Sequence, residues 1–160
     1  MGVHENITVK DIPPRTVVYL RCRGSWRQLP EMVDRLDRYV SQTSIETIGP
    51  ASGIYYNTPS EVGTQDLEWE MFYSIKTAET PESFRSEKDF GIRKLPQIKV
   101  ASITHRGSYR NAISTYEHLE EWIKRERCEM SGPSEEVYLS VFGVPSHEQT
   151  MEISIPVSST

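Results

Sequence analysis

Arg23-Gly24-Ser25-Trp26-Arg27 recurs 83 positions later as Arg106-Gly107-Ser108-Tyr109-Arg110, and Gly49-Pro50 recurs at the same spacing as Gly132-Pro133. Two independent anchors at one spacing mark an internal repeat. On this alignment Tyr55 falls on Tyr138 and Gly53 on Glu136, while Glu70-Met71 matches Glu152-Ile153 at a spacing of 82. Each half therefore reads strand, helix, strand, strand. The expected fold class is α+β: a pseudo-two-fold duplication of a βαββ module, with antiparallel sheets and two helices flanking a central cleft. Neither half can bury both its sheet face and its helix stripe alone, so the halves are expected to pack together. The expected organisation is a single domain over residues 1–160, with half one about 1–76, a connector about 77–94 and half two about 95–160. A cleft along the approximate axis is a natural ligand site.

Outward from the repeat, the local patterns fill in the elements. Ile7-Thr8-Val9 is a short strand candidate ended by Pro13-Pro14. Residues 15–23 and 98–106 are rich in β-branched side chains, which favours strands. Leu29, Met32, Val33, Leu36 and Val40 form one stripe at helical spacing, and the regular helix is expected to begin near Pro30. The second helix is expected over about 110–127, with Ile113, Tyr116, Leu119, Trp122 and Ile123 as its stripe. Gly49-Pro50 reads as a turn before a strand at 53–57. Residues 67–75 form a strand with Trp69, Met71 and Tyr73 on one face and Glu68, Glu70 and Phe72 on the other. Residues 77–94, polar and weakly patterned, read as the connector. The last two strands are expected at 136–142 and 149–157.

Composition narrows the function classes. The chain has 160 residues, 36% hydrophobic and 26% charged, and a net charge of −5. That balance argues against nucleic acid as a direct partner, because phosphate binding needs a concentrated Lys/Arg surface. No apolar run approaches the roughly 18 residues of a membrane span, and the start lacks an apolar signal core, so a cytoplasmic location is expected. Cys22 and Cys128 read as free thiols. No cofactor fingerprint or phosphate loop is present, and the spacing of His4, His105, His118 and His147 suggests no metal site.

Glu136 and Tyr138 are two apart on a strand and share a face, while Val137, Leu139 and Val141 take the other. The apolar set reads as the core face, which leaves Glu136, Tyr138 and Phe142 to line the cleft. A carboxylate among aromatics suffers desolvation, which raises its pKa or calls for a cation. The bland alternative is an edge glutamate paired with a surface Lys or Arg. Trp26 and Tyr109 stand at equivalent strand-to-helix turns and, with Tyr55, Tyr56, Trp69 and Trp122, are candidates for aromatic walls. Core packing is the competing role for each, and Trp69 reads as core. Glu68, Glu70 and Glu152 read as solvent-facing, with a symmetric acid pair at Glu70 and Glu152 as the alternative.

The sequence resembles the GyrI-like family, the effector-binding domains of AraC- and MerR-type bacterial transcription regulators and their stand-alone, multidrug-binding relatives. The resemblance rests on R-G-S-[WY] before each helix, on Tyr116, Leu119 and Trp122, on Gly132-Pro133 followed by Glu136-x-Tyr138, and on the closing Met151-Glu152-Ile153-x-Ile155-Pro156-Val157. It implies paired βαββ (SHS2) modules that bind hydrophobic, often cationic, small molecules through aromatic side chains and a buried glutamate. The family's Glu and Tyr carry over to Glu136 and Tyr138. A sensor or sequestering protein is the favoured reading. The resemblance also admits a hydrolase of strained electrophiles such as cyclopropane-bearing alkylators, with Glu136 and Tyr138 catalytic, and a protein-interaction role such as gyrase inhibition.

Overall fold

The computed structural model describes residues 6–76, 88–140 and 142–159. Its strands are β1 (Thr8–Ile12), β2 (Arg15–Arg23), β3 (Thr47–Tyr55), β4 (Glu68–Ile75), β5 (Phe90–Leu95), β6 (Ile98–Arg106), β7 (Cys128–Met130), β8 (Ser134–Tyr138) and β9 (Thr150–Ser159). The helices are α1 (Leu29–Ser41) and α2 (Ile113–Arg125). The chain divides into two compact units, Pro13–Pro96 and the combination of Met1–Ile12 with Gln97–Thr160. The fold is α+β, with antiparallel pairing of β1 with β6, of β2 with β4 and β5, of β3 with β4, and of β9 with β6, β7 and β8.

In the unit Pro13–Pro96 the strand order is β3-β4-β2-β5. Strand β2 lies between β4 and β5, and its alternation is read on both faces: Val18, Leu20 and Cys22 are buried, and so is Val17. Helix α1 carries Pro30 in its first turn, where a missing N–H costs nothing. It buries Met32, Val33, Leu36 and Tyr39. Tyr39 thus takes the inward place expected for Val40, and its ring stacks on Phe90 of β5 with centroids 4.3 Å apart.

In the other unit the order is β1-β6-β9-β8, with β7 also on β9. The core between sheet and α2 is formed by Ala101, Ile103, Leu119, Ile123, Met151, Ile153 and Ile155, all nearly or fully buried. Strand β1 precedes β2 in sequence yet pairs with β6, and β5 precedes β6 yet pairs with β2. Each of these strands brings a cation to an acid: Lys10 Nζ lies 3.0 Å from Glu152 Oε1, and Arg93 Nη2 pairs with Glu70 Oε1.

The two turns quoted first share one backbone constraint. Gly24 and Gly107 have φ of +108° and +110°, where a Cβ would be strained, so glycine is required at both strand-to-helix turns.

Several expectations are corrected. Gly49-Pro50 lies within β3, where the register to β4 shifts between Ile48 and Ser52. A proline cannot donate to a ladder and Gly49 has φ +73°, so the strand is interrupted there without ending. The end of the expected connector, residues 90–94, belongs to β5, while 77–87 lie outside the described residues. Strand β7 was not anticipated; three residues are too few to show a period. Strand β8 ends at Tyr138, short of the expected Phe142. In α2, Ile113 is 70% exposed and the buried set is Thr115, Leu119 and Ile123.

Glu70 reverses its expected exposure. It is 1% exposed, and Arg93 satisfies it while also donating to Tyr56 Oη at 2.9 Å. Burial pushes the Glu70 pKa up, against the opposing pull of Arg93 and then Arg21. Glu152 remains partly exposed beside Lys10. Arg93→Ala is expected to destabilise the protein by about 3 kcal/mol in urea unfolding, because it leaves a buried carboxylate unpaired. Lys10→Ala is expected to cost at most about 1 kcal/mol, as for other exposed pairs.

Candidate functional site

Strand β8 brings Glu136 and Tyr138 onto the face that looks toward α2. Their register partners on β9 are Ile153 and Met151, and these pair in turn with Ile103 and His105 on β6. Tyr116, from the second turn of α2, donates its hydroxyl to Glu136 Oε2. Tyr138 donates to Oε1 at 2.7 Å. Both carboxylate oxygens are therefore occupied by phenols. Glu136 forms no ion pair with Lys or Arg among the described residues. The residue keeps some exposed surface, but its carboxylate sits among protein atoms. Burial pushes its pKa up; the hydrogen bonds from Tyr116 and Tyr138 and the influence of His105 pull the other way.

An aromatic cluster adjoins the acid. Tyr109 meets Tyr138 edge to face with centroids 5.6 Å apart, and meets Phe142 likewise at 5.9 Å. Tyr138 and Phe142 are 5.3 Å apart. Tyr109 is fixed at both ends: its hydroxyl bonds Ser140 Oγ at 2.8 Å, and its backbone N–H donates to Gln149 Oε1 at 3.1 Å. Ser140 also accepts from the Thr150 N–H.

Four of the residues anticipated from sequence thus stand together: Glu136, Tyr138, Tyr109 and Phe142. Trp26 and Tyr55 belong to the other unit, where they meet edge to face at 5.4 Å, and Tyr55 stacks on Trp69 at 6.1 Å. Trp69 Nε1 donates to the Gly24 carbonyl, whereas the buried Trp26 Nε1 has no acceptor among the described residues. Trp122 is half-buried on α2. The Tyr55 hydroxyl lies 2.9 Å from where a Gly53 Cβ would stand, so a side chain at Gly53 would displace that ring.

The assignment of faces on β8 is the principal correction. Leu139, expected in the core, is 53% exposed, and Val137 is half-buried; Val141 lies outside the described residues. The inward face is the one carrying Glu136 and Tyr138, because α2 supplies the donor that makes a buried carboxylate tolerable. Tyr116 was read as helix stripe. The acid it meets comes from a strand twenty residues away, so helical spacing alone gave no signal of the contact. Among the described residues no group of three or more His, Cys, Asp or Glu could hold a metal ion.

The GyrI-like small molecule binding domain matches residues 5–158. The chain belongs to this family. No curated protein matches it. Among solved structures it is similar to the C-terminal domain of EcmrR, with a TM-score of 0.82 and 16% identity, covering 97% of this chain and 98% of that one. It is also similar to EcmrR in an EcmrR–DNA complex, with a TM-score of 0.84 and 16% identity, covering all of this chain (100%) and 59% of that one. The chain thus spans about three-fifths of that regulator. A hydrolase encoded by lin2189 from Listeria innocua matches with a TM-score of 0.71 and 11% identity, covering 96% of this chain and 92% of that one. At these identities the likeness is one of fold. No helix among the described residues is long and apolar enough to cross a membrane.

The raised Glu136 pKa has a definite sign in stability. A carboxyl that holds its proton more tightly folded than unfolded contributes stability that is full below the unfolded pKa of about 4.3 and is lost as pH rises through the folded value. Glu136→Gln cannot ionise, so its stability relative to wild type is expected to improve as pH rises across that window. Urea midpoints measured from pH 4 upward check this; a parallel pair of curves is the contrary result.

Proposed function

We propose that the protein binds amphipathic, cationic or aromatic small molecules at the Glu136 site, as a sensor or sequestering protein. A single observation carries this reading. The buried Glu70 has an arginine against it, while the Glu136 carboxylate receives only phenol hydroxyls among the described residues and lies beside three aromatic rings. A lipophilic cation supplies the missing charge and stacks on the rings, each contact contributing about 0.5–2 kcal/mol. Membership of a small-molecule-binding family supports the same reading. The duplication of a βαββ module belongs to this proposal; the parallel strand orders of the two units and the 83-residue spacing support it.

Tetraphenylphosphonium, titrated calorimetrically against neutral triphenylphosphine oxide, is a suitable probe pair. Glu136→Gln is expected to weaken the cation by about tenfold or more, equivalent to about 1.4 kcal/mol, and to leave the neutral compound unchanged. Cation affinity is also expected to fall as pH is lowered through the Glu136 titration, because the protonated carboxyl carries no charge. Equal affinity of wild type and variant for the cation would overturn the proposal.

A hydrolytic reading draws on the same group. A carboxylate with a raised pKa serves as a general base toward water, and the Tyr138 hydroxyl, 2.7 Å from Glu136 Oε1, can orient that water or polarise a substrate carbonyl that takes up the electron pair of the opening ring. Mass spectrometry of a cyclopropane-bearing electrophile incubated with the protein separates the two. Many equivalents consumed, with loss in Glu136→Gln, indicate turnover; a single equivalent retained indicates sequestration.

A further inference from the structure

The polar network around Glu136 extends one residue deeper. His105, near the end of β6, is 6% exposed. Its Nε2 lies 2.8 Å from the Ser108 carbonyl oxygen, which can only accept, so Nε2 carries the proton. Nδ1 is then the acceptor, and the Thr115 hydroxyl donates to it at 2.8 Å. One imidazole therefore ties β6 to the turn before α2 and to the first turn of α2 itself. Ser108 immediately precedes Tyr109, whose ring packs on Tyr138 and Phe142. Thr115, 1% exposed, immediately precedes Tyr116, which holds Glu136.

The other half of the chain lacks this arrangement at every point. At the 83-residue spacing, His105, Thr115, Tyr116 and Glu136 correspond to Cys22, Met32, Val33 and Gly53. The same spacing aligns Leu36 with Leu119, both fully buried, which supports the helix register. Cys22, Met32 and Val33 are themselves buried, so an apolar filling of this space is stable. A buried polar network is costly unless every member is satisfied, and it has been installed only beside the acid. Packing alone gives no reason for that coincidence.

We propose that His105 is a positioning residue of the Glu136 site: by holding Ser108 and Thr115 it aims the Tyr109 ring and the Tyr116 hydroxyl at the carboxylate. The groups facing Glu136 are Tyr116 from α2, Tyr138 on its own strand, Ile153 from β9 and, deeper on β6, the imidazole of His105. Those facing His105 are Ser108, Thr115 and, across the ladder, Met151. The Tyr116 hydrogen bond favours the ionised carboxylate. Loss of His105 loosens that bond and therefore moves the Glu136 titration upward.

The consequence for ligand affinity rests on the binding reading above; the effect on Glu136 does not. The test is a carbon-detected NMR titration of the glutamate carboxyls in the ligand-free chain, with tetraphenylphosphonium calorimetry and thermal melts alongside. The variants are His105→Leu, His105→Gln and Thr115→Val. His105→Leu is expected to raise the Glu136 midpoint and to weaken the cation by about tenfold or more, as loss of an orienting partner does at other sites. Thr115→Val is expected to shift both in the same direction by less. His105→Gln, which can still donate to Ser108 and accept from Thr115, is expected to restore most of both. A folded His105→Leu with the Glu136 midpoint unmoved overturns the proposal, and so does a glutamine variant no better than leucine. Should His105→Leu fail to fold, Thr115→Val decides, and an unmoved midpoint there is equally fatal. If wild type does not bind the cation, the binding reading fails while the titration still judges His105.

Discussion

A carboxylate beneath a helix must be hydrogen-bonded or it will not stay there. In the unit formed by residues 1–12 and 97–160, Glu136 meets that requirement through two phenols, one on its own strand and one from α2. The rest of the site follows from satisfying this group. Tyr138 must lie on the same face of β8 to reach it, which brings its ring against Tyr109 and Phe142. Tyr116 must reach it from α2, whose fully buried stripe is Thr115, Leu119 and Ile123.

Glu136 and Glu70 show two ways of keeping an acid inside a small domain. Glu70, on β4, is paired with Arg93, which reaches it from β5 across β2. Glu136 receives donors but no countercharge from Lys or Arg among the described residues, so its ionised form is held at a cost. A stable fold gains nothing from that difference. On the proposed reading a binding site does, because an incoming cation would meet a carboxylate whose charge has not been cancelled.

The two halves of the sequence use the same backbone devices for different ends. Gly24 and Gly107 make the same left-handed turn before their helices. Beyond that turn, one half fills the space between helix and sheet with Cys22, Met32 and Val33, and folds Tyr55 over the bare Gly53. The other fills the matching places with His105, Thr115, Tyr116 and Glu136. Membership of the GyrI-like family accords with a domain whose framework is general and whose chemistry is concentrated in a few side chains.

The sequence alone determined what depends on neighbours along the chain. The β-branched runs set β2 and β6 to the residue, and the helical stripe set most of the buried face of α1. A period of two placed Glu136 and Tyr138 on a common face, and the glycine turns placed Tyr109 beside a helix start. Which face of β8 turns inward was decided only in three dimensions. Alternation says which residues share a side, but not which side a helix covers, and counting apolar residues favoured Val137 and Leu139. The outcome was set by Tyr116, which reaches the acid from twenty residues away. Glu70 was misplaced for the same reason: its arginine arrives on β5, inside a stretch too polar to announce a strand. Polar atoms are buried wherever a partner can be brought to them, and for these two acids the partner is supplied by the tertiary fold.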